Sequence, residues 1–178
     1  MRIVVSGTHA SGKSTLISDF HAAHPEYAVL GDPFDDIESE APAGAASFVA
    51  QLRVTVSRLR ESAGESSVIS ERGSIDFLAY LTALDALGRG DDTLLSRAQE
   101  LVESSMADVD LIAVVPLDPR HAIAVPDDED PELREAMGRA LLDVLDDLER
   151  AGDAPSIVTL TGSPGERLTQ LEKAAGLC

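Results

Sequence analysis

The chain has 178 residues, 44% of them apolar and only 3% aromatic with no tryptophan, and a formal charge of −18. That length and apolar content fit one domain burying its own core and exclude a disordered chain. The acidity excludes a broad nucleic-acid surface, because phosphate backbones need a basic stripe to displace their counterions.

Residues 2–6, with Ile3, Val4 and Val5 in a row, predict a buried strand. The run is too short, and too soon followed by glycine and lysine, for a signal peptide or a membrane span, so a cytoplasmic location without membrane partners is expected. Residues 14–23 read as a helix ended by His24-Pro25, and 27–30 as a short second strand before the turn Gly31-Asp32-Pro33. A loop over 38–44 precedes helical spacing at 45–61; a third strand follows at 67–71. Two helices over 74–87 and 92–106 are separated by Gly88-Arg89-Gly90. A fourth strand at 110–115 is closed by Pro116, a long helix spans 133–150, a fifth strand 156–160, and a closing helix 164–175. The acidic Pro126-Asp127-Asp128-Glu129-Asp130-Pro131 reads either as a solvated loop or as part of a mobile lid over 126–140.

Strands alternating with helices predict a single α/β domain over 1–178. It is a three-layer fold with a five-stranded parallel sheet and helices on both faces. The single cysteine, Cys178, leaves no intramolecular disulfide and no cysteine metal site. His21, His24 and His121 lack metal-ligand spacing.

Between the first strand and first helix stands Gly7-Thr8-His9-Ala10-Ser11-Gly12-Lys13-Ser14, which matches the P-loop pattern G-x-x-x-x-G-K-[ST] in its proper context. Glycines let such a loop curl so that successive N–H groups face an anion, a nest reinforced by the helix N-terminus. Lys13 then supplies charge to the β/γ oxygens, and Ser14 offers its hydroxyl to Mg²⁺. The expected nucleotide contacts are Gly7, His9, Ala10, Ser11, Gly12, Lys13, Ser14 and Thr15, with His9 and Ala10 as spacers. Because the nucleotide is held by backbone, one lysine and a metal, an acidic protein can still bind ATP.

A switch GTPase would need N-K-x-D after a later strand, but the fourth strand leads into Pro116-Leu117-Asp118-Pro119. A motor or AAA-type ATPase would show an apolar run closing on Asp-Glu in a much longer chain, and neither is present. The third strand instead ends Ser70-Glu71-Arg72-Gly73. A carboxylate after strand two and a Glu-Arg pair after strand three both face the crevice where such sheets bind ligands. Asp32 is thus a candidate general base. Glu71 is a candidate holder of a Mg²⁺-bound water, and Arg72 a candidate acceptor-orienting group. Simpler readings stand beside these: Asp32 as a turn residue before proline, Arg72 as an ion-pair partner of Glu71 or Asp76, and Gln51 as an exposed or half-buried helix residue.

Ser70-Glu71-Arg72 resembles the E-R-S or D-R-S signature of nucleoside and nucleotide kinases, and Gly31-Asp32-Pro33 resembles their E-P step, which carries the proton-accepting carboxylate. Phe48-Val49-Ala50-Gln51, followed by Ser57-Arg58-Leu59-Arg60, is similar to the helix whose glutamine reads the base. Asp76-Phe77-Leu78-Ala79-Tyr80 resembles small P-loop ATPases of the nicotinamide riboside kinase type. Thr161-Gly162-Ser163-Pro164-Gly165-Glu166-Arg167 resembles the loop over adenine, which implies adenine contacts from Gly162 and Arg167. The family's lid is arginine-rich, whereas residues 126–132 are mostly carboxylates; Arg134 is the candidate for a γ-phosphate contact, with a weak surface pair as the alternative for it and for Arg139. Asp stands for the family's Glu at position 32, and Gly for Ser at 73.

The resemblance implies the P-loop strand order 2-3-1-4-5 and an ATP- and Mg²⁺-dependent phosphotransferase acting on a hydroxyl of a small, nucleoside-like acceptor. No nucleic-acid polymer is expected as partner, and a homodimer stays open. Alternatives are a kinase of another small alcohol, such as an antibiotic or a sugar, and a low-turnover ATP-binding regulatory protein.

Overall fold

The computed structural model describes residues 1–34, 44–118, 130–152 and 154–177. The 38–43 stretch, His121, Cys178 and the 126–129 part of the candidate lid lie outside them. Among the described residues, β1 (Arg2–Ser6), β2 (Ala28–Leu30), β3 (Val68–Glu71), β4 (Leu111–Val114) and β5 (Ser156–Thr159) form a five-stranded sheet of order β2-β3-β1-β4-β5. Every pairing is parallel.

The strands are near-continuous apolar runs because both sheet faces are covered. Alternate side chains feed two cores. On one face Val4, Ile112 and Val114 pack with α2 (Ala45–Glu61), α3 (Ser74–Ala86), α4 (Asp92–Ser105) and α5 (Pro131–Ala151). On the other, Ile3, Val5, Leu111 and Ala113 pack with α1 (Lys13–Ala23) and α6 (Pro164–Ala174). With no tryptophan, large volume comes from Phe20 in the second core and from Phe48 and Phe77 in the first, all nearly fully buried. Truncating such a ring to alanine costs about 3–5 kcal/mol.

Local chemistry sets the helix starts. Asp130 caps α5 by accepting from the Glu132 and Leu133 N–H groups, and Pro131 takes the first helical position. The helix therefore begins two residues earlier than its apolar spacing predicts, since proline is well tolerated there. Asp91 caps α4 through the Leu94 N–H, and Glu166 accepts from both the N–H and the hydroxyl of Ser163 at the start of α6. The predicted helices and strands otherwise match to within a residue or two. Two single-turn 3₁₀ segments, Ser62–Gly64 and Met106–Asp108, extend α2 and α4 and were not legible in the spacing. No helix among the described residues is long and apolar enough to cross a membrane.

Candidate active site

The loop between β1 and α1 curls through backbone that side chains rarely adopt: φ is +51° at Ala10 and +97° at Gly12, the α1 N-cap. At Gly7 a β-carbon would stand 2.5 Å from the Val115 carbonyl oxygen and 2.8 Å from Ser11 Oγ, so only glycine lets the loop pass this close to the end of β4. Lys13 is 4% exposed, and its Nζ donates to the Thr8 carbonyl at 2.8 Å. Burial, with the nearby Arg72 charge second, lowers its pKa to about 8. Thr8 Oγ1 and Ser11 Oγ are buried without a partner among the described residues. Buried polar atoms are normally satisfied, so these two orphaned hydroxyls, beside a lysine and a loop that admits no side chain at Gly7, fit an oxygen-rich anion such as a nucleotide phosphate.

The β3 end lies beside this cradle because β1 and β3 are neighbours, with Val5 in register with Glu71. Ser14 Oγ donates to Glu71 Oε1 at 2.8 Å. Burial first of all raises the Glu71 pKa, against the lowering effect of the Ser14 bond and Lys13. Among the described residues no three histidines, cysteines or carboxylates group as a metal centre. A hydroxyl and a single carboxylate nevertheless suit Mg²⁺, a hard cation that binds oxygen, keeps several waters and borrows phosphate ligands.

Arg72 adopts φ +65°, a left-handed conformation that costs a non-glycine residue on the order of 1–3 kcal/mol. Three contacts offset that cost. Its Nε donates to Asp32 Oδ2 at 2.9 Å and Oδ1 at 3.2 Å, and its Nη1 to the Gly7 carbonyl at 3.2 Å. Its guanidinium stands 4.8 Å from the Phe34 ring centre and 5.7 Å from that of Tyr80. Burial alone would lower its pKa, but the surrounding Tyr80, Asp32 and Asp76 outweigh it, and the net direction is up. The ion pair weighed for Arg72 thus falls on Asp32 rather than on Glu71 or Asp76.

Around this pair lies an aromatic wall. Phe48 and Tyr80 stack at 4.5 Å, and Phe34 sits edge-on to both at 6.2 and 6.1 Å. Gln51, one helical turn beyond Phe48, is 2% exposed and its Oε1 has no partner among the described residues. The expectation of an exposed or half-buried Gln51 is corrected: α2 turns it inward, on the same buried face as Phe48 and Leu52.

Two further arginines reach the P-loop backbone. Arg134 donates from Nε to the His9 carbonyl at 3.0 Å and from Nη2 to Ala10 at 3.5 Å. Arg167, 6% exposed, donates from Nη1 to the Ser11 carbonyl at 2.9 Å. Gly162 lies in the β5–α6 turn with φ +91°, and Thr15 is exposed in the first turn of α1.

Asp76 enters the sequence reading as a family letter and as a possible ion-pair partner of Arg72, not as a site residue. It is fully buried and accepts from Ser6 Oγ at 2.8 Å, the Gly7 N–H at 2.9 Å and the Gly73 N–H at 2.8 Å. Burial is the largest influence on its pKa, which is raised overall. It ties the entrance of the P-loop to the β3–α3 junction that carries Arg72. The signal was a lone carboxylate inside the apolar run 75–81.

A family model described as an AAA domain matches residues 2–151. This match, which spans β1 through α5, reverses the exclusion of an AAA-type ATPase drawn from a missing Asp-Glu pair and from chain length. No curated protein matches the sequence. Among solved structures, the chain is similar to deoxyadenosine kinase from M. mycoides with the products dCMP and dCDP, at a TM-score of 0.76 and 12% identity over 100% of both chains. It is similar to thymidylate kinase from Candida albicans, at 0.65 and 17% over 98% of this chain and 90% of that one. It is also similar to NadR protein in complex with NR, at 0.71 and 15% over 99% of this chain and 52% of that one. At such identities the likeness is one of fold.

Proposed function

The chain belongs to the AAA domain family, and from that premise we propose that it is an ATP- and Mg²⁺-dependent kinase transferring the γ-phosphoryl group to a hydroxyl of a small nucleoside-like acceptor. The observation that carries this reading is that Arg72 joins a carboxylate to the phosphate cradle: it holds Asp32 at 2.9 Å and the Gly7 carbonyl at 3.2 Å. A carboxylate, the general base in this proposal, is thereby held beside the loop that would hold the phosphates. A nucleotide-binding regulator has no need of that arrangement.

In the proposed reaction the acceptor oxygen bonds to the γ-phosphorus, the bond to the β-phosphate oxygen breaks, and the hydroxyl proton passes to Asp32. Lys13 neutralises charge on the transferring group, and the P-loop N–H groups bind the remainder. Ser14, with Glu71 through water, would hold Mg²⁺, which supplies further charge neutralisation when bound. Arg72 orients Asp32 and the acceptor. A flat acceptor ring is favoured by the wall of Phe34, Phe48 and Tyr80 and by the unpartnered Gln51 Oε1, which suits a donor such as an amino group. Kinases of deoxynucleosides and nucleotides among the structural neighbours support the same class of acceptor.

The test is ADP release from ATP with Mg²⁺, measured alone and against panels of nucleosides, nucleotides and unrelated alcohols. Release stimulated by nucleosides is expected. Stimulation by sugars or antibiotics alone would move the acceptor class, and no stimulation by any alcohol would defeat the kinase reading.

A further inference from the structure

Five consecutive carbonyl oxygens of the P-loop each accept from a cationic side chain. Gly7 O accepts from Arg72 at 3.2 Å, Thr8 O from Lys13 at 2.8 Å, His9 O from Arg134 at 3.0 Å, Ala10 O more weakly from Arg134 at 3.5 Å, and Ser11 O from Arg167 at 2.9 Å. The chain has only 14 lysines and arginines against 32 carboxylates. Four of those cations converge on this one loop: Lys13 at the start of α1, Arg72 just after β3, Arg134 in α5 and Arg167 in α6.

We infer that Arg134 and Arg167 are positioning residues of the phosphate site, acting through the loop's backbone and not on the nucleotide. The inference rests on the reading of Gly7 to Ser14 as a nucleotide site. A peptide unit whose carbonyl is pinned on one side presents its N–H on the other. Pinning the carbonyls of residues 7 to 11 therefore orients the N–H groups of residues 8 to 12 as a set, the geometry of an anion nest. Preorganisation of this kind lowers the ordering cost of binding without adding a ligand contact. Lys13 has three N–H donors, so it keeps the Thr8 carbonyl with one and turns the others to phosphate when a nucleotide arrives. The arginines need not move: Arg167 is buried against Ser11, and Arg134 reaches the loop from the first turn of α5. A γ-phosphate contact from Arg134, the candidate role weighed above against a weak surface pair, and an adenine contact from Arg167 would each give a different ligand dependence.

The experiment titrates ATP, ADP and inorganic tripolyphosphate, each with Mg²⁺, into wild type, Arg134→Gln, Arg167→Gln and Arg167→Lys, with melting temperatures recorded alongside. Arg134→Gln should weaken ATP and ADP by the same factor, about 2- to 10-fold, as its bond to His9 and its longer one to Ala10 are lost. Arg167→Gln should weaken ATP and tripolyphosphate equally, with Arg167→Lys between it and wild type. A loss confined to ATP over ADP in Arg134→Gln would make that arginine a γ-phosphate ligand, and a loss spared for tripolyphosphate in Arg167→Gln would make the other a base contact. Either result overturns the inference, as does wild-type binding in stable variants. If Arg167→Gln does not fold, Arg167→Lys and the half-buried Arg134 decide the question. Wild type binding none of the three ligands would defeat the nucleotide reading itself, and the inference with it.

Discussion

Arg72 Nε lies 2.9 Å from Asp32 Oδ2 and 3.2 Å from Oδ1, so one guanidinium nitrogen is shared by both oxygens of a carboxylate 40 residues away. Arg72 is 1% exposed and Asp32 16%. In such a setting the pair itself adds little net stability, but removing one partner strands the other charge and costs about 3–5 kcal/mol. Function and stability therefore have to be read separately at these two positions.

Asp32→Asn is nearly isosteric and keeps one oxygen for the Arg72 Nε. It should leave ATP affinity close to wild type while lowering kcat by roughly 10²- to 10⁴-fold, the usual share of a general base. Steady-state kinetics with the best acceptor, beside an ATP titration, check it. A kcat within a fewfold of wild type would reduce Asp32 to an anchor for Arg72.

Lys13 predicts two opposite pH effects. Its folded pKa of about 8 lies below the ordinary 10.5, and phosphate favours the ammonium form. Nucleotide affinity should be full below pH 8 and fall as pH rises above it, toward tenfold per unit. Without nucleotide, the buried charge is unfavourable at low pH, and that penalty fades as pH climbs from about 8 to 10.5. Lys13→Met should thus lose turnover yet melt higher than wild type at pH 7, the gap closing toward pH 10.5. A flat affinity profile from pH 7 to 9.5 would contradict the assigned role.

Gln51 separates an acceptor contact from mere packing. Its Oε1 is buried and unpartnered, a condition that costs about 1–3 kcal/mol. Gln51→Leu should therefore keep or raise the melting temperature, while raising the acceptor KM about tenfold and leaving that of ATP alone. Unchanged acceptor kinetics would remove Gln51 from the pocket.

Gly73 follows Arg72 where α3 begins, and a β-carbon there would come 2.5 Å from Val4 Cγ1. Gly73→Ala should lower stability by about 1–3 kcal/mol through overpacking, measured by urea denaturation. Adding Val4→Ala should recover part of the loss if the clash is its cause. A Gly73→Ala protein as stable as wild type would mean that the β3–α3 junction yields freely.

By itself the sequence determined what is local: the P-loop with its flanking strand and helix, the strand-helix alternation that implies a parallel sheet, and Asp32 and Glu71-Arg72 at strand ends. These are signals of spacing and periodicity within a few residues, and the fold obeys them. Tertiary structure alone decided which groups meet. The partners of Arg134 and Arg167 stand 125, 124 and 156 residues away, and Asp76 reaches Ser6 and Gly7 across 70 and 69. No period in a chain encodes such pairings, because they depend on the sheet order bringing β3 beside β1 and on α5 and α6 closing over the loop. The left-handed turn at Arg72 was equally hidden, since an arginine accepts that backbone only when Asp32, Gly7 and Phe34 are already in place to hold it.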